Sequence, residues 1–318
     1  MKLTAELRGM ATAGLLLVAG LLLLISVPVN LPGVELLQSL RFHVAALGMV
    51  VALGLFVFRA RWRGLLALVL TLASAGQGAM PLLKGYEARA AVTSDTMGTI
   101  KVISFNVLAD NMTGRQAADF IISQAPDIAI VMETPGVETY LADIAKVLPY
   151  RLGCEDPRTC DLTVFSRTPL SQQQMVLMRP YRHQRLAIAT TEINGMPLTV
   201  VGMHLSKPYF DGASAEELHQ AALALKDLPG RLLLAGDFNA AAWSDEVADF
   251  VDSLGLVPPP VHPASWPIKA GPLGVPIDNM FTRGPLLIET IAAPSDSYGS
   301  NHRALLASVS LRAETTPQ

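Results

Sequence analysis

Between Arg8 and Glu35 the chain carries no charged residue, and the stretch ATAGLLLVAGLLLLISVPVN inside that window is almost wholly apolar. About 20 such residues suffice for a helix to cross the hydrocarbon core of a bilayer. A cleaved signal peptide would need only about 7 to 15 before its cleavage site, and two more uncharged windows follow at once. FHVAALGMVVALGLFVF lies between Arg41 and Arg59, and GLLALVLTLASAGQGAMPLL between Arg63 and Lys84. Residues 1–84 therefore read as an integral membrane anchor of about three helices, the second of them short for a span. Lys2 and Arg8 precede the first window, while Arg59, Arg61 and Arg63 fill the turn between the second and third. Basic residues at span ends favour the cytoplasm, so three crossings put everything beyond Lys84 in the periplasm or outside the cell. Two crossings would reverse that.

Residues 85–98, GYEARAAVTSDTMG, are small and polar and read as a linker, and 313–318 as a tail. Between them the pattern alternates. TIKVISFNV, DIAIVME, DLTVFSR, LAIATTEI, PLTVVGMH, RLLLAGD, IDNMFTR, LLIETIA and RALLASVSL read as strands, with Asn194 and Gly195 as a hairpin turn. GRQAADFIISQAP, VETYLADIAKVL, SAEELHQAALALKDL and SDEVADFVDSLG read as helices, the third opening on a capping box of Ser214 and Glu217. Mixed strands and helices over roughly 220 residues make one α/β domain with a large core. The proline-rich stretch 257–276 is too long for an idle connection, which makes it a candidate functional loop. Cys154 and Cys160, the only cysteines, bracket EDPRT; they read either as a disulfide or as two free thiols. A net charge of −3 excludes a strongly basic nucleic-acid scaffold.

Four apolar strands finish in chemically capable side chains: VISFN in Asn106, IAIVME in Glu133, TVVGMH in His204, and LLLAGDFN in Asp237 and Asn239. A single polar residue after a strand is ordinarily a turn former. A set with acid, amide and imidazole character points to a site at strand C-termini, where α/β proteins gather ligands. Glu133 and Asn106 offer hard oxygens suited to Mg²⁺ or Mn²⁺, and the histidines lack the close spacing of a zinc motif. Asp237 can orient or deprotonate a water. His204 and His302 can donate to a phosphoryl oxygen as charge builds on it. The nucleophile elbow, the P-loop and the dinucleotide fingerprint are missing from the sequence.

In their order, SFNVL, VMETP, VGMHL, AGDFNA, IDNMF and SNHRALL resemble the motifs of the endonuclease/exonuclease/phosphatase superfamily, over about Thr99 to Leu311. The resemblance implies a four-layer α/β sandwich of the deoxyribonuclease-I-like fold over 99–312. It also implies Mg²⁺- or Mn²⁺-dependent attack of water on a phosphate ester. Carried over residue by residue, Glu133 holds the metal with Asn106, Asp237 aligns or activates the water, and Asn239 and His204 hold phosphate oxygens. His302 contacts the scissile phosphate and Asp278 fixes its tautomer. Arg185 matches a phosphate-contacting arginine, whereas Arg179 and Arg182 read as solvated. One position departs: Ser300-Asn301-His302 stands where the family reads Ser-Asp-His, so Asn301 brings an amide oxygen without charge to the metal's side. Asp296 could compensate only if its turn folds back. The function this implies is a membrane-anchored phosphodiesterase of nuclease type. A lipid head-group phosphodiesterase or phosphatase is one alternative, and a non-catalytic phosphate-binding scaffold the other. Nucleic acid and phospholipid both stand as substrates, and no protein partner is indicated.

Overall fold

The computed structural model describes residues 2–27, 33–156, 159–208 and 212–314. Four helices come first: α1 (Lys2–Ser26), the short α2 (Val34–Ser39), α3 (Arg41–Val57) and α4 (Arg61–Ala90). Arg63 Nη1 donates to Thr12 Oγ1 and Gln77 Nε2 to the Ser26 carbonyl, so α4 runs alongside α1 while α3 returns between their ends. Small residues let the three helices approach. A Cβ on Gly48 would lie only 2.3 Å from Thr71 Oγ1. The outer faces stay apolar, with Leu16, Val50, Leu66, Val69 and Leu83 exposed. By length and composition α1 and α4 can cross a membrane, whereas α3 has 17 residues.

One departure from the sequence expectation occurs here. The helix continues through Gly85–Ala90, six residues that read as linker, so that only 91–95 separate α4 from β1 (Thr96–Asn106). Its last turns are held from outside: Arg89 Nη1 donates to the carbonyls of Pro258 and Ile288, and the Tyr86 hydroxyl to that of Pro260. Most of the expected tail, residues 315–318, lies outside the described residues.

After β1 the chain gives α5 (Gly114–Gln124), β2 (Ile128–Met132), α6 (Leu141–Ile144), β3 (Tyr150–Leu152), β4 (Leu162–Ser166), β5 (Leu170–Met178), β6 (His183–Ile193) and β7 (Met196–His204). Then come α7 (Ala213–Leu225), β8 (Arg231–Asp237), α8 (Asp245–Ser253), β9 (Asp278–Arg283), β10 (Leu286–Ala292) and β11 (Leu305–Arg312). One sheet has the order β10-β11-β1-β2-β4-β3, the other β5-β6-β7-β8-β9. Their inner faces share a core that includes Val102, Ile130, Val164, Val200, Leu233 and Val309. Phe120 and Ile121 of α5 cover the outside of the first sheet, and Leu218 of α7 with Phe250 of α8 the outside of the second. This is the expected four-layer α/β sandwich.

Each sheet contains one parallel pair, β1 with β2 and β7 with β8. Parallel neighbours end on the same edge, so Asn106 and Glu133 finish beside one another, as do His204 and Asp237. Antiparallel β9 begins at that edge, with Asp278 paired to Asp237. Two local expectations fail. VETYLADIAKVL is a 3₁₀ turn over Thr134–Tyr140 followed by one turn of α-helix. Nor do Ser214 and Glu217 form a capping box: Gly212 is the N-cap, and Glu217 reaches out of the helix to bind Ser206 N (2.6 Å) and Ser206 Oγ (2.9 Å). A buried carboxylate takes the partners that tertiary structure offers, here the loop after β7.

Candidate active site

The strand-end residues converge. Asn106 Nδ2 donates to Glu133 Oε1 and to Asp237 Oδ2, each at 3.0 Å, linking the two sheets through one amide. Glu133 Oε2 accepts from Ala109 N at 2.8 Å and Asp237 Oδ1 from Asn239 N at 2.8 Å. Glu133 and Asn239 both adopt left-handed backbone, φ 53° in each. For a non-glycine residue that conformation costs on the order of 1–3 kcal/mol, and strain of this kind gathers where a chain must turn a side chain into a site. Asn239 Nδ2 donates to the Leu205 carbonyl (2.8 Å), tying the loop after β8 to the loop after β7.

Both histidines are backed by a carboxylate. His302 Nδ1 lies 2.8 Å from Asp278 Oδ2, and its Nε2 lies 3.7 Å from Asp237 Oδ2. Burial, the largest single influence on His302, opposes its protonation. The charges of Asp278, Asp237 and Glu133, with the Asp278 hydrogen bond, outweigh it and raise the imidazole to about 9. The Ser300 hydroxyl accepts from His302 N (3.0 Å) and donates to the Asn106 carbonyl (2.6 Å), fixing this turn against β1. His204 Nδ1 meets Asp161 Oδ2 at 2.8 Å. Here too burial opposes the charge and the Asp161 carboxylate wins, so His204 is raised. Asp161 is lowered, because the His204 charge and hydrogen bond and the Arg185 charge overcome its own burial. Asp237 is raised, first by burial and then by the Asp278 charge.

Glu133, Asp237, Asn239, Asn301 and His302 line a cavity of about 120 Å³. Lys207 and Pro208 close one side, and Trp266, Val275 and Ile277 another. The loop 257–276 is pinned to the site by Ser265, whose Oγ accepts from Asp278 N (3.2 Å) and whose carbonyl accepts from Arg303 N (2.9 Å). A larger cavity of about 360 Å³ lies between α4 and α8, away from the strand ends.

The Endonuclease/Exonuclease/phosphatase family profile matches residues 103–302. The chain belongs to that family. Its fold is similar to that of sphingomyelinase C from Streptomyces griseocarneus, at 19% identity and TM-score 0.51, covering 67% of this chain and 99% of the other. D. rerio TDP2 complexed with single strand DNA product is similar too (19%, TM-score 0.53, 67% and 99%). So is an endonuclease/exonuclease/phosphatase from Beutenbergia cavernae DSM 12333 (16%, TM-score 0.52, 67% and 72%). No curated relative is detected by sequence.

The endonuclease/exonuclease/phosphatase family implies a divalent cation, and the residues present fit one. A single amide nitrogen bridges the Glu133 and Asp237 carboxylates. The Asn106 oxygen accepts from Leu108 N at 3.1 Å, so three oxygen-bearing side chains of the kind a hard cation favours meet at one point. Ligand atoms of Asp237, Asp278 and His302 also lie within 4.8 Å of one another. There the His302 Nδ1–Asp278 Oδ2 hydrogen bond leaves His302 Nε2, 3.7 Å from Asp237 Oδ2, and a buried Asp278 Oδ1 that has no hydrogen-bond partner. Asn301 borders the cavity with an exposed side chain. Asp296 is an exposed turn residue whose Oδ1 accepts from Tyr298 N (2.9 Å), and it does not fold back. Arg185 is packed behind His204, its Nη1 donating to the His204 carbonyl at 3.3 Å; like His204, Asn106 and Asp278, it stands behind the residues that line the cavity.

Sequence reasoning missed five contributors. Asp161 immediately precedes β4, next to the Cys154–Cys160 disulfide, with no local pattern to mark it. Lys207 follows the His204 motif closely enough to have been suspected. Leu36, Ser39 and Leu40 of the N-terminal helical region also border the cavity, through contacts some 200 residues apart in sequence.

Proposed function

We propose that this chain is a membrane-anchored phosphodiesterase dependent on Mg²⁺ or Mn²⁺, in which water attacks the phosphorus of a phosphate diester. The observation that carries the reading is the meeting of Glu133, Asn106, Asp237 and a carboxylate-backed His302 at one rim of the sandwich. Glu133 and Asn106 would hold the cation, with Asn301 and its uncharged oxygen alongside. When bound, the cation supplies Lewis-acid polarisation of a phosphoryl oxygen. Asp237, raised above the ordinary carboxylate range, takes the proton of the attacking water. His302 stays an imidazolium held by Asp278 and donates to the phosphoryl group as its charge grows. His204, held likewise by Asp161, and Asn239 bind the remaining oxygens. Lys207 adds a cationic contact at the rim, and Arg185 supports the Asp161–His204 pair.

Residues 1–84 anchor the catalytic domain by three crossings. Arg63 lies beside Thr12, which puts the Arg59–Arg63 turn and the Lys2 end on one face, as the positive-inside rule favours. The domain then lies outside the cytoplasm, a compartment that suits a disulfide. The test is turnover of bis(p-nitrophenyl) phosphate by the full chain in detergent, with Mg²⁺ or Mn²⁺ and then with EDTA. Activity that EDTA and Asp237→Ala each abolish supports the reading. Metal-independent turnover, or none above the Asp237→Ala level, rejects it.

A further inference from the structure

The anchor does more than tether the domain: it builds part of the wall of the catalytic cavity. Leu36, Ser39 and Leu40, from α2 and the residue after it, line the cavity together with Asn301 and His302. They are held there firmly. Ser39 Oγ accepts from Ala241 N at 2.9 Å, two residues past Asn239. The Gln38 amide exchanges two hydrogen bonds with Asp245, at 2.6 Å to the carboxylate and 3.0 Å from the backbone N–H. Arg41, fully buried, donates to both Asp245 Oδ1 (3.2 Å) and the Ile25 carbonyl (2.8 Å).

Depth follows from helix length. The uncharged stretch of α4 ends at Leu83 and begins at Gly64; at about 1.5 Å per residue it spans the roughly 30 Å hydrocarbon core. Lys84 therefore marks the domain-side boundary. Leu82, two residues short of it, packs in one apolar cluster with Leu40, Phe42, Trp243 and the cavity-lining Trp266, Val275 and Ile277. Leu40 precedes the first residue of α3. The apolar side of the cavity thus lies at the edge of the hydrocarbon, and its polar side faces the layer of several ångströms where lipid phosphates sit. Leu273 of the same loop is 75% exposed, and its carbonyl contacts the His43 ring in the first turn of α3 (2.9 Å).

From this placement we propose that the substrate is a phospholipid of the surrounding bilayer, admitted laterally, with its apolar portion against Leu36, Leu40 and Trp266 and its phosphodiester against Asp237 and His302. The proposal rests on the hydrolase reading above and names its substrate class. A nucleic acid would approach from water and would meet the apolar wall of Leu36, Leu40 and Trp266, with Lys207 as the cation beside it. Water oxygen bonds to phosphorus, one phosphorus–oxygen ester bond breaks, and the departing oxygen takes the proton that the water releases. The products are a phosphomonoester and an alcohol, one of them carrying the acyl chains.

The test uses the full chain in nanodiscs of equal parts phosphatidylethanolamine and phosphatidylglycerol, with Mg²⁺ or Mn²⁺. Lipid conversion is followed by phosphorus NMR, beside bis(p-nitrophenyl) phosphate and a supercoiled plasmid. Lipid phosphodiester is expected to disappear faster than plasmid is cut. Leu36→Asp is expected to lower the ratio of lipid to soluble-diester turnover by about tenfold or more, the worth of one apolar contact of that size. Leu273→Asp, at a position already exposed, should lower the same ratio and serves if Leu36→Asp does not fold. Soluble-diester cleavage with intact lipid, faster cutting of plasmid, or an unchanged ratio in the variants overturns the lipid assignment alone. Failure on every probe overturns the hydrolase reading and the lipid assignment together.

Discussion

Removing Asp161 tests whether the His204 pair is part of the chemistry. His204 is only 6% exposed, and Asp161 Oδ2 is the acceptor for its Nδ1. In Asp161→Ala that buried ring N–H loses its partner, which costs about 1–3 kcal/mol. The Asp161 side chain is 30% exposed, so water can enter the vacated position and the low end applies. About 1 kcal/mol in a domain of this size lowers Tm by roughly 2–4 °C. The kinetic loss should be larger. Without the carboxylate, burial governs His204 and its imidazolium is no longer favoured at neutral pH. Losing one donor to a developing oxyanion typically costs about 10²–10³ in kcat. Asp161→Asn separates the two effects, because its amide oxygen still accepts the hydrogen bond while the charge is gone: stability stays near wild type and kcat still falls. In both variants part of the loss returns as pH is lowered below the ordinary histidine value of about 6.5. The assay is kcat and KM on a soluble diester against pH, with thermal unfolding alongside. An Asp161→Ala enzyme within about threefold of wild-type kcat at neutral pH would refute the reasoning, given the expected 10²–10³.

Three more outcomes are expected. Asn301→Asp adds a charge at the cavity rim and should lower the Mg²⁺ concentration for half-maximal activity severalfold; an unchanged metal profile would show that Asn301 does not face the cation. In the metal-free protein His302 should titrate by NMR near 9, and Asp278→Asn should move it down. Because its folded value lies above the unfolded one, the stability it contributes is complete below about pH 6.5 and lost as pH rises through about 9; Asp278→Asn should flatten that loss. Glu246 on α8 faces Glu35 of α2, with Asp245 and Asp249 beside it; burial first, then the shared hydrogen bond with Glu35, raises it to about 8. The stability it contributes is therefore complete below the ordinary glutamate range and declines up to about pH 8, so wild-type Tm should fall relative to Glu246→Gln across that window, and parallel melting curves would reject the pairing.

The convergence at the candidate site was legible because apolar strands announce their own ends. Asn106, Glu133, His204 and Asp237 each close such a strand, and Asp278 opens one that runs antiparallel to its neighbour, so the sandwich gathers them at one rim. Asp161 was illegible for the complementary reason: it precedes a strand, and only the tertiary contact with His204 gives it meaning. Glu217 satisfied a local capping pattern and then followed a stronger nearby partner, Ser206. The α2 wall was beyond any local reading, since Gln38 and Ser39 find Asp245 and Ala241 across the whole sequence. The extension of α4 past Lys84 was hidden by its polarity, because those turns are fixed by carbonyls of a distant loop rather than by an apolar stripe.

The central claim, water attack on phosphorus at this rim, is tested most directly by diester hydrolysis in ¹⁸O-labelled water. The full chain with Mg²⁺ or Mn²⁺ is expected to place one label in the phosphomonoester product per turnover, and EDTA or Asp237→Asn is expected to remove that signal. Label in the alcohol product, or labelled phosphate that persists in Asp237→Asn, would contradict the account.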